Sequence, residues 1–284
     1  MMATTVCEML KTQIGLPVRA IPLSMCRITR PYLLEKAHIP TSGTAILFAV
    51  PYVVSADITD EQRNVSLYAV PEDYHLYIHE LGTSLLPFLT NRFPDNHFAL
   101  FSDHSPIAEV DAAARAGLGV LGMNHLLITP TWGSYVFIAE IVTDMPYEQV
   151  TQAAASDIPP TPPRCEECGR CTRACPAQHA PDGICLSALT QKKGALSESE
   201  QAALRNHPLI WGCDFCQTVC PRNQFVKDTQ VTFFVEKRRL HIDSATLNQM
   251  GDDEFSRRAY SWRGRSVITR NLRLKYSYPK GELP

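Results

Sequence analysis

Residues 165–176 read CEECGRCTRACP: four cysteines within eleven positions, closed by a proline. Cys165, Cys168 and Cys171 stand at C-x2-C-x2-C, and Cys175 follows three residues on, ahead of Pro176. In this run three thiolates wrap one iron–sulfur cubane and the fourth reaches across to a second cluster. A looser copy follows, with Cys185 and then Cys213, Cys216 and Cys220 in GCDFCQTVCP, where the last cysteine again precedes a proline. Crossing the fourth ligands gives one cluster to Cys165, Cys168, Cys171 and Cys220. The other falls to Cys175, Cys185, Cys213 and Cys216. The competing reading is a pair of zinc sites, each held by four cysteines from C-x2-C knuckles. Zinc requires neither three ligands in seven residues nor the two prolines, so the spacing predicts two 4Fe–4S clusters.

The rest of the chain supplies the setting. Eight of the ten cysteines lie between 165 and 220, leaving Cys7 and Cys26 as buried or free thiols. A disulfide framework suits small secreted domains, whereas this chain has 284 residues. Its start, MMATTVCEMLKTQIG, lacks the basic opening and apolar core of a signal peptide. No uncharged apolar run approaches the ~20 residues of a membrane span. The expected compartment is therefore the reducing cytoplasm, with no membrane partner.

With 45% hydrophobic residues the chain can bury a sizeable core. The proline-dense DIPPTPPRC, residues 157–165, reads as a stiff linker. It sets off residues 1–157 from a cluster domain at 158–228, and a basic segment follows at 229–284. The fold class is α+β, a mixed α/β domain before a ferredoxin-like cluster domain. TAILFAVP (44–51) and HFALFSD (97–103) read as strands. Between them a helix starts after Asp73 and bends or ends near Pro87. IAEVDAAARAG reads as a short helix closed by Gly117 in the left-handed conformation. HLLIT and SYVFIAEIV, joined by PTWG, read as a hairpin. Ser197 and Glu200 form a capping box opening a helix to Asn206.

GLGVLG (117–122) matches G-x-G-x-x-G, but a helix precedes it and strands follow, which is the wrong context for a dinucleotide site. Glu140 stands at about the right distance for that fingerprint, yet inside a strand-like run. The glycines read instead as a tight turn that lets something bulky approach the backbone.

These stretches together, FSDHSPIAEVDAAARAGLGVLGMNHLLITPTWGSYVFIAEIVTD with CEECGRCTRACP, CLSALTQKKG and GCDFCQTVCPRN, resemble the epoxyqueuosine reductase family. The resemblance runs from TAILFAVP through DYH (73–75) to SWRGRSVITRN (261–271). It implies reduction of the epoxide of epoxyqueuosine in the tRNA anticodon loop, with cobalamin and two 4Fe–4S clusters. It also implies a low-potential electron donor. Carried over residue by residue, the resemblance makes Asp103 the proton donor. It lines the cobalamin with Asp103, Ser66, Leu127, Ile138, Gln191 and Lys193, and brings Arg30, or Arg27 in a neighbouring register, to its edge. On the residues alone, Asp103 reads rather as an N-cap for the helix beginning near Ile107. Leu127 and Ile138 read as hairpin core, and Gln191 and Lys193 as a solvated helix end.

The chain lacks the D-x-H-x-x-G signature of a histidine ligand to cobalt, so base-off cobalamin is expected. His75 and His79, at i and i+4, have no HExxH around them. Net charge is −2, which gives no overall attraction for nucleic acid. Yet between Glu254 and Glu282 there is no acid, and Arg257, Arg258, Arg263, Arg265, Arg270, Arg273, Lys275 and Lys280 alternate with Tyr260, Trp262, Tyr276 and Tyr278. Cations and stackable rings suit a single-stranded RNA loop, while a solvated basic tail is the plainer reading.

The family's helical repeats are missing from these residues, and Met123 stands where the family usually has a lysine in the glycine turn. Both changes predict weaker tRNA binding than in longer relatives. Two other functions compete: the same reductive chemistry on a small substrate, or electron transfer alone. A pure carrier leaves about 155 preceding residues unexplained.

Overall fold

The computed structural model describes residues 4–179 and 183–276. They form two compact units, one of residues 1–51 and 77–168, the other of residues 52–76 and 169–284.

The first unit is built on a four-stranded antiparallel sheet. In chain order its strands are β1 (Val18–Pro22), β2 (Thr44–Pro51), β3 (Phe98–Phe101) and, after a two-stranded ribbon of β4 (Val120–Leu121) and β5 (Leu127–Ile128), β6 (Val136–Thr143). Their order across the sheet is β1-β2-β6-β3. β2 is buried along its whole length, which is why TAILFAVP is continuously apolar rather than alternating. Its edge neighbour β1 ends on Pro22, where a missing N–H costs no ladder bond. The helix Val6–Ile14 opens on a capping box of Thr5 and Glu8 and closes at Gly15. The core lies on the face covered by the helix Glu109–Arg115, where Ala112, Ala113 and Ala114 pack with Leu47, Leu127, Ile138 and Val142. Alanines there let the helix approach the sheet closely.

Three local expectations change. HLLIT does not form a ladder with the strand after it: β6 pairs with β2 along its whole length and with β3 over its last four residues. β5 pairs with β4 instead, Val120 opposite Ile128, and only a bridge between Thr129 and Gly133 closes the intervening turn. The glycine turn is tight for that reason: a Cβ on Gly119 would come within 2.3 Å of the Ile128 carbonyl oxygen. The bulk it admits is a neighbouring strand. Finally, the helix Tyr74–Arg92 continues past Pro87, with Leu85 and Leu89 buried on either side of it.

The proline-rich stretch is tied down rather than loose. Arg115 Nε donates to the Pro159 carbonyl at 2.9 Å. The Leu121 N–H donates to Pro163 at 2.7 Å and the Cys165 N–H to Leu121 at 3.0 Å. The backbone leading into Cys165 is thus bonded directly to β4.

The second unit consists of short helices and turns around two apolar centres. One gathers Trp211, Tyr260, Ile268 and Leu272, with the Trp211 and Tyr260 rings edge to face at 6.2 Å. The other gathers Leu186, Leu189, Leu196 and Leu204, with Cys213 packed against it. Ser197 and Glu200 make both bonds of the expected capping box at the head of the helix Glu198–Asn206. The helix Arg265–Tyr276 is stitched in by Asn271, whose Nδ2 donates to the carbonyls of Thr190 (2.7 Å) and Ile210 (2.8 Å). Tyr278 and Lys280 lie outside the described residues.

Candidate active site

β3 ends at Phe101, and the following turn presents Asp103. Ser102, buried, donates its Oγ to the Ile138 carbonyl on β6 at 2.6 Å. Asp103 then takes φ +62°, the left-handed region that aspartate tolerates better than most residues. Its N–H donates to Glu109 Oε2 at 3.2 Å. Its side chain is exposed and caps no helix, because the helix begins at Glu109 with Ala108 as its N-cap residue. The N-cap alternative is therefore overturned, and Asp103 projects freely from a fixed turn.

Arg30 is one of the groups that fix it. Its Nη1 donates to the Ser105 carbonyl at 3.0 Å, and the N–H groups of Thr29 and Arg30 both donate to Pro106 at 2.8 and 3.2 Å. Tyr32 and His104 add a bond of 2.8 Å between Oη and Nε2. Arg27 offers only its backbone carbonyl, to the Ala108 N–H at 3.0 Å, which favours Arg30 over Arg27 as the side chain of this corner. Leu127 and Ile138 are buried in the same apolar cluster.

Beneath the turn lies an acid that the sequence reading weighed only against the dinucleotide fingerprint. Glu140, in the middle of β6 opposite Phe101, is fully buried, and neither carboxyl oxygen has a hydrogen-bond partner. Burial pushes its pKa far up, and the nearby Glu109 carboxylate pushes it further, against a smaller lowering by Ser105. The signal was visible as a lone acid inside VFIAEIV.

In the second unit Ser66 lies beside the segment that carries Cys213, and Cys171, Cys175, Cys185 and Cys216 act on one another. Ser66 Oγ donates to Asp214 Oδ1, and the Leu67 N–H donates to Asp214 Oδ2 at 3.0 Å. Arg63 Nη1 meets that same oxygen at 2.6 Å in a nearly buried ion pair. Gly212 sits against Ser66 at φ +74°, and a Cβ there would come within 2.3 Å of Ser66 Cβ. Gly212 also donates its N–H to Thr190 Oγ1 at 2.9 Å. Gln191 Nε2 reaches Tyr68 Oη at 3.4 Å, while Lys193 is exposed. Cys213 is thus held between a packed glycine and a paired aspartate. His75, at the start of the long helix, is occupied by Asp73 at 2.8 Å.

None of the ten cysteines forms a disulfide. Burial pushes Cys216 up to about 11, and Cys185, Cys175 and Cys171 raise it further in that order. Burial likewise pushes Cys213 up to about 12, with Asp214, Cys185 and Cys216 adding to it. Thiolates buried and crowded in this way would repel one another, and the iron of a cluster core would offset that by taking the place of their protons. Among the described residues no three His, Cys, Asp or Glu side chains converge enough to hold a single ion. A cubane asks for less convergence, because each thiolate binds a different iron. Cys7 and Cys26 are pushed up to about 12, mainly by burial, and behave as inert core thiols.

The acid-free segment is less available than its composition suggests. Arg257 forms a two-pronged bond to Glu72 at 2.7 and 2.5 Å. Arg258 is buried against Glu254. Arg265 donates to the carbonyls of Leu247 and Met250, Arg270 to Lys192 and Gly194, and Lys275 to His207. By contrast, Arg263 lies flat over Trp262, 3.6 Å from the ring centre, with Trp262 57% exposed, and Arg273 is exposed.

Residues 164–223 match the family model described as the 4Fe-4S double cluster binding domain. The class is thereby defined: an iron–sulfur protein whose double-cluster domain accompanies a separate α/β sheet unit. The chain belongs to the epoxyqueuosine reductase family. It is 30% identical over 256 residues to the epoxyqueuosine reductase of Lactococcus garvieae, a match covering 84% of this chain and 70% of that protein. It is 36% identical over 214 residues to that of Listeria monocytogenes, covering 70% of this chain. The chain spans 53 to 66% of the length of the first curated relatives it matches. Its fold is that of a crystal structure of epoxyqueuosine reductase with an epoxyqueuosine-modified tRNA-Tyr stem loop, at TM-score 0.69 and 24% identity over 94% of this chain and 78% of that one.

Proposed function

We propose that the protein is a reductase of the epoxide of epoxyqueuosine in tRNA, using two 4Fe–4S clusters and base-off cobalamin. The observation that carries this reading is the Asp103 turn: an exposed carboxyl on a backbone clamped by Arg30, Glu109 and Ser102, in a chain of this family. Opening an epoxide and removing its oxygen takes two electrons and two protons, leaving an alkene and water. Asp103, protonated, gives a proton to that oxygen, an action worth roughly 10²–10⁴-fold in rate. Arg30 and Ser102 hold the turn so that the acid meets the substrate in one geometry.

The clusters would be held by Cys165, Cys168, Cys171 and Cys220, and by Cys175, Cys185, Cys213 and Cys216, and would deliver electrons one at a time to the cobalt centre. Ser66, Leu127, Ile138, Gln191, Lys193 and Arg30 are assigned to the cobalamin. The same reading gives residues 1–157 to cofactor and substrate, 158–228 to the clusters, and 229–284 to packing and RNA contact. It also places the protein in the cytoplasm with a low-potential electron donor. No described helix is long and apolar enough to cross a membrane.

Reduced, reconstituted protein incubated with an epoxyqueuosine-containing anticodon stem loop tests the proposal, with loss of one oxygen by mass spectrometry as the expected result. The internal engagement of most segment cations favours a second reading, a smaller epoxide as substrate. Turnover of the free epoxyqueuosine nucleoside without turnover of the stem loop would select it.

A further inference from the structure

Glu140 has no role in the reading above, yet its burial is costly. An ionised carboxyl with both oxygens unbonded in an apolar interior costs several kcal/mol, so something must keep it there. Its register supplies the answer. It projects from β6 opposite Phe101, two residues before Asp103, and two residues from Ile138, whose carbonyl anchors Ser102. The polar groups acting on it are the Glu109 carboxyl and the Ser105 hydroxyl. Cys26 is also within its influence. Arg115 is engaged elsewhere, on the Met25 and Pro159 carbonyls and near Asp111. Glu109 is partly exposed and spends Oε2 on the Asp103 N–H. Two carboxyls this coupled in a low-dielectric corner do not both ionise, and the better-solvated one keeps the charge.

We propose that Glu140 is a neutral carboxylic acid and the positioning residue behind Asp103. By holding the proton it leaves Glu109 as the charged member of this pair, and that anion pins the Asp103 N–H and its left-handed turn. Charging Glu140 would place two anions under the turn and release it. The link to turnover rests on Asp103 as the acid, but the protonation state does not.

Thermal melts of wild type and Glu140→Gln from pH 5 to 9 read it directly. The folded wild type binds a proton that the unfolded chain releases above about pH 4.3, so its stability falls as pH rises. Glu140→Gln removes that slope. Relative to wild type its melting temperature should climb with pH, by roughly 2–4 °C or more across the range. A constant or widening deficit would mean that Glu140 is ionised, and would overturn the proposal. Infrared spectra supply a second measurement. Wild type at pH 7 should show a protonated-carboxyl stretch, shifted in Glu109→Gln and missing in Glu140→Gln. Its absence from wild type would refute the assignment even if neither variant folds well. For positioning, Glu109→Gln should lower kcat on the order of 10–100-fold with KM little changed, and Glu140→Gln should flatten the alkaline limb of the pH profile. An unaltered kcat in Glu109→Gln and an unaltered profile in Glu140→Gln would strip the pair of its role.

Discussion

Asp103 owes its reach to a backbone angle that few residues accept. At φ +62° a β-branched or bulky replacement would strain the turn, whereas asparagine is at ease there. Asp103→Asn therefore keeps the turn, the Glu109 bond and the cluster spectrum, and removes only the acid. Turnover of the stem loop should fall by roughly 10²–10⁴-fold, measured in single-turnover assays on protein with unchanged melting temperature. Loss of folding with full activity per folded molecule would show that the side chain is structural. None of this conformation was readable in FSDHS. An aspartate before a helical run looks like an N-cap, and what decided otherwise was Glu109 reaching back to the turn. The cysteines lie at the other extreme, since their spacing alone pointed to a double-cluster domain, and residues 164–223 match one. Arg30 is a different case: the resemblance pointed to it for the cobalamin edge, whereas its bonds to Ser105 and Pro106, which the sequence did not announce, tie it to the Asp103 turn.

Short elements carry the second unit, and their weak point is the segment Gly212–Asp214. His207, buried, bonds through Nε2 to the Gly212 carbonyl at 2.8 Å, and burial holds its pKa below the ordinary histidine value, against a smaller rise from that bond. A group whose folded pKa is depressed binds fewer protons folded than unfolded. Its contribution is present above about pH 6.5 and is lost as pH falls below that value. Acidification from pH 7 to 5 should thus bleach the visible absorbance of the reconstituted clusters, and His207→Gln, which retains an N–H donor, should shift that loss to lower pH. Identical acid profiles for the two proteins would remove His207 from the account. Gly212→Ala should fare worse at every pH, because its Cβ would collide with Ser66 at 2.3 Å. Absence of cluster incorporation under reconstitution measures it. Elements with strong local signals were legible: β2 from its apolar run, the capped helix Glu198–Asn206, the helix ended by Gly117. Pairing was not, because β4 and β5 are two residues each and their apolar pattern fits more than one neighbour.

The chain as a whole has a net charge of −2, so overall charge does not draw RNA, and the proposed RNA contact would rest on local cations. Reconstituted protein should hold about eight irons per chain if two cubanes form, and Cys220→Ser should damage the cluster of Cys165, Cys168 and Cys171. Selective loss of the Cys213 and Cys216 cluster, seen by Mössbauer or paramagnetic resonance, would show that the ligands do not cross. For RNA, composition alone pointed to every cation from Arg257 onward. Yet Arg265, which holds two carbonyls, belongs to the fold, and Arg265→Ala should lower the melting temperature rather than act on binding alone. Arg263 on its Trp262 platform and exposed Arg273 are the better phosphate contacts, with Trp262 open to stack a base. Each phosphate neutralised adds about 0.7 to the salt slope for a single strand. Two such contacts make a modest total, so tRNA affinity should be weak and should decline gently with salt. Arg263→Ala with Arg273→Ala should cut the slope by about that amount per lost contact, with iron content and melting temperature unchanged. Trp262→Ala should weaken binding by roughly 1–3 kcal/mol without altering the slope. A slope that survives the double substitution would move the RNA surface away from this segment.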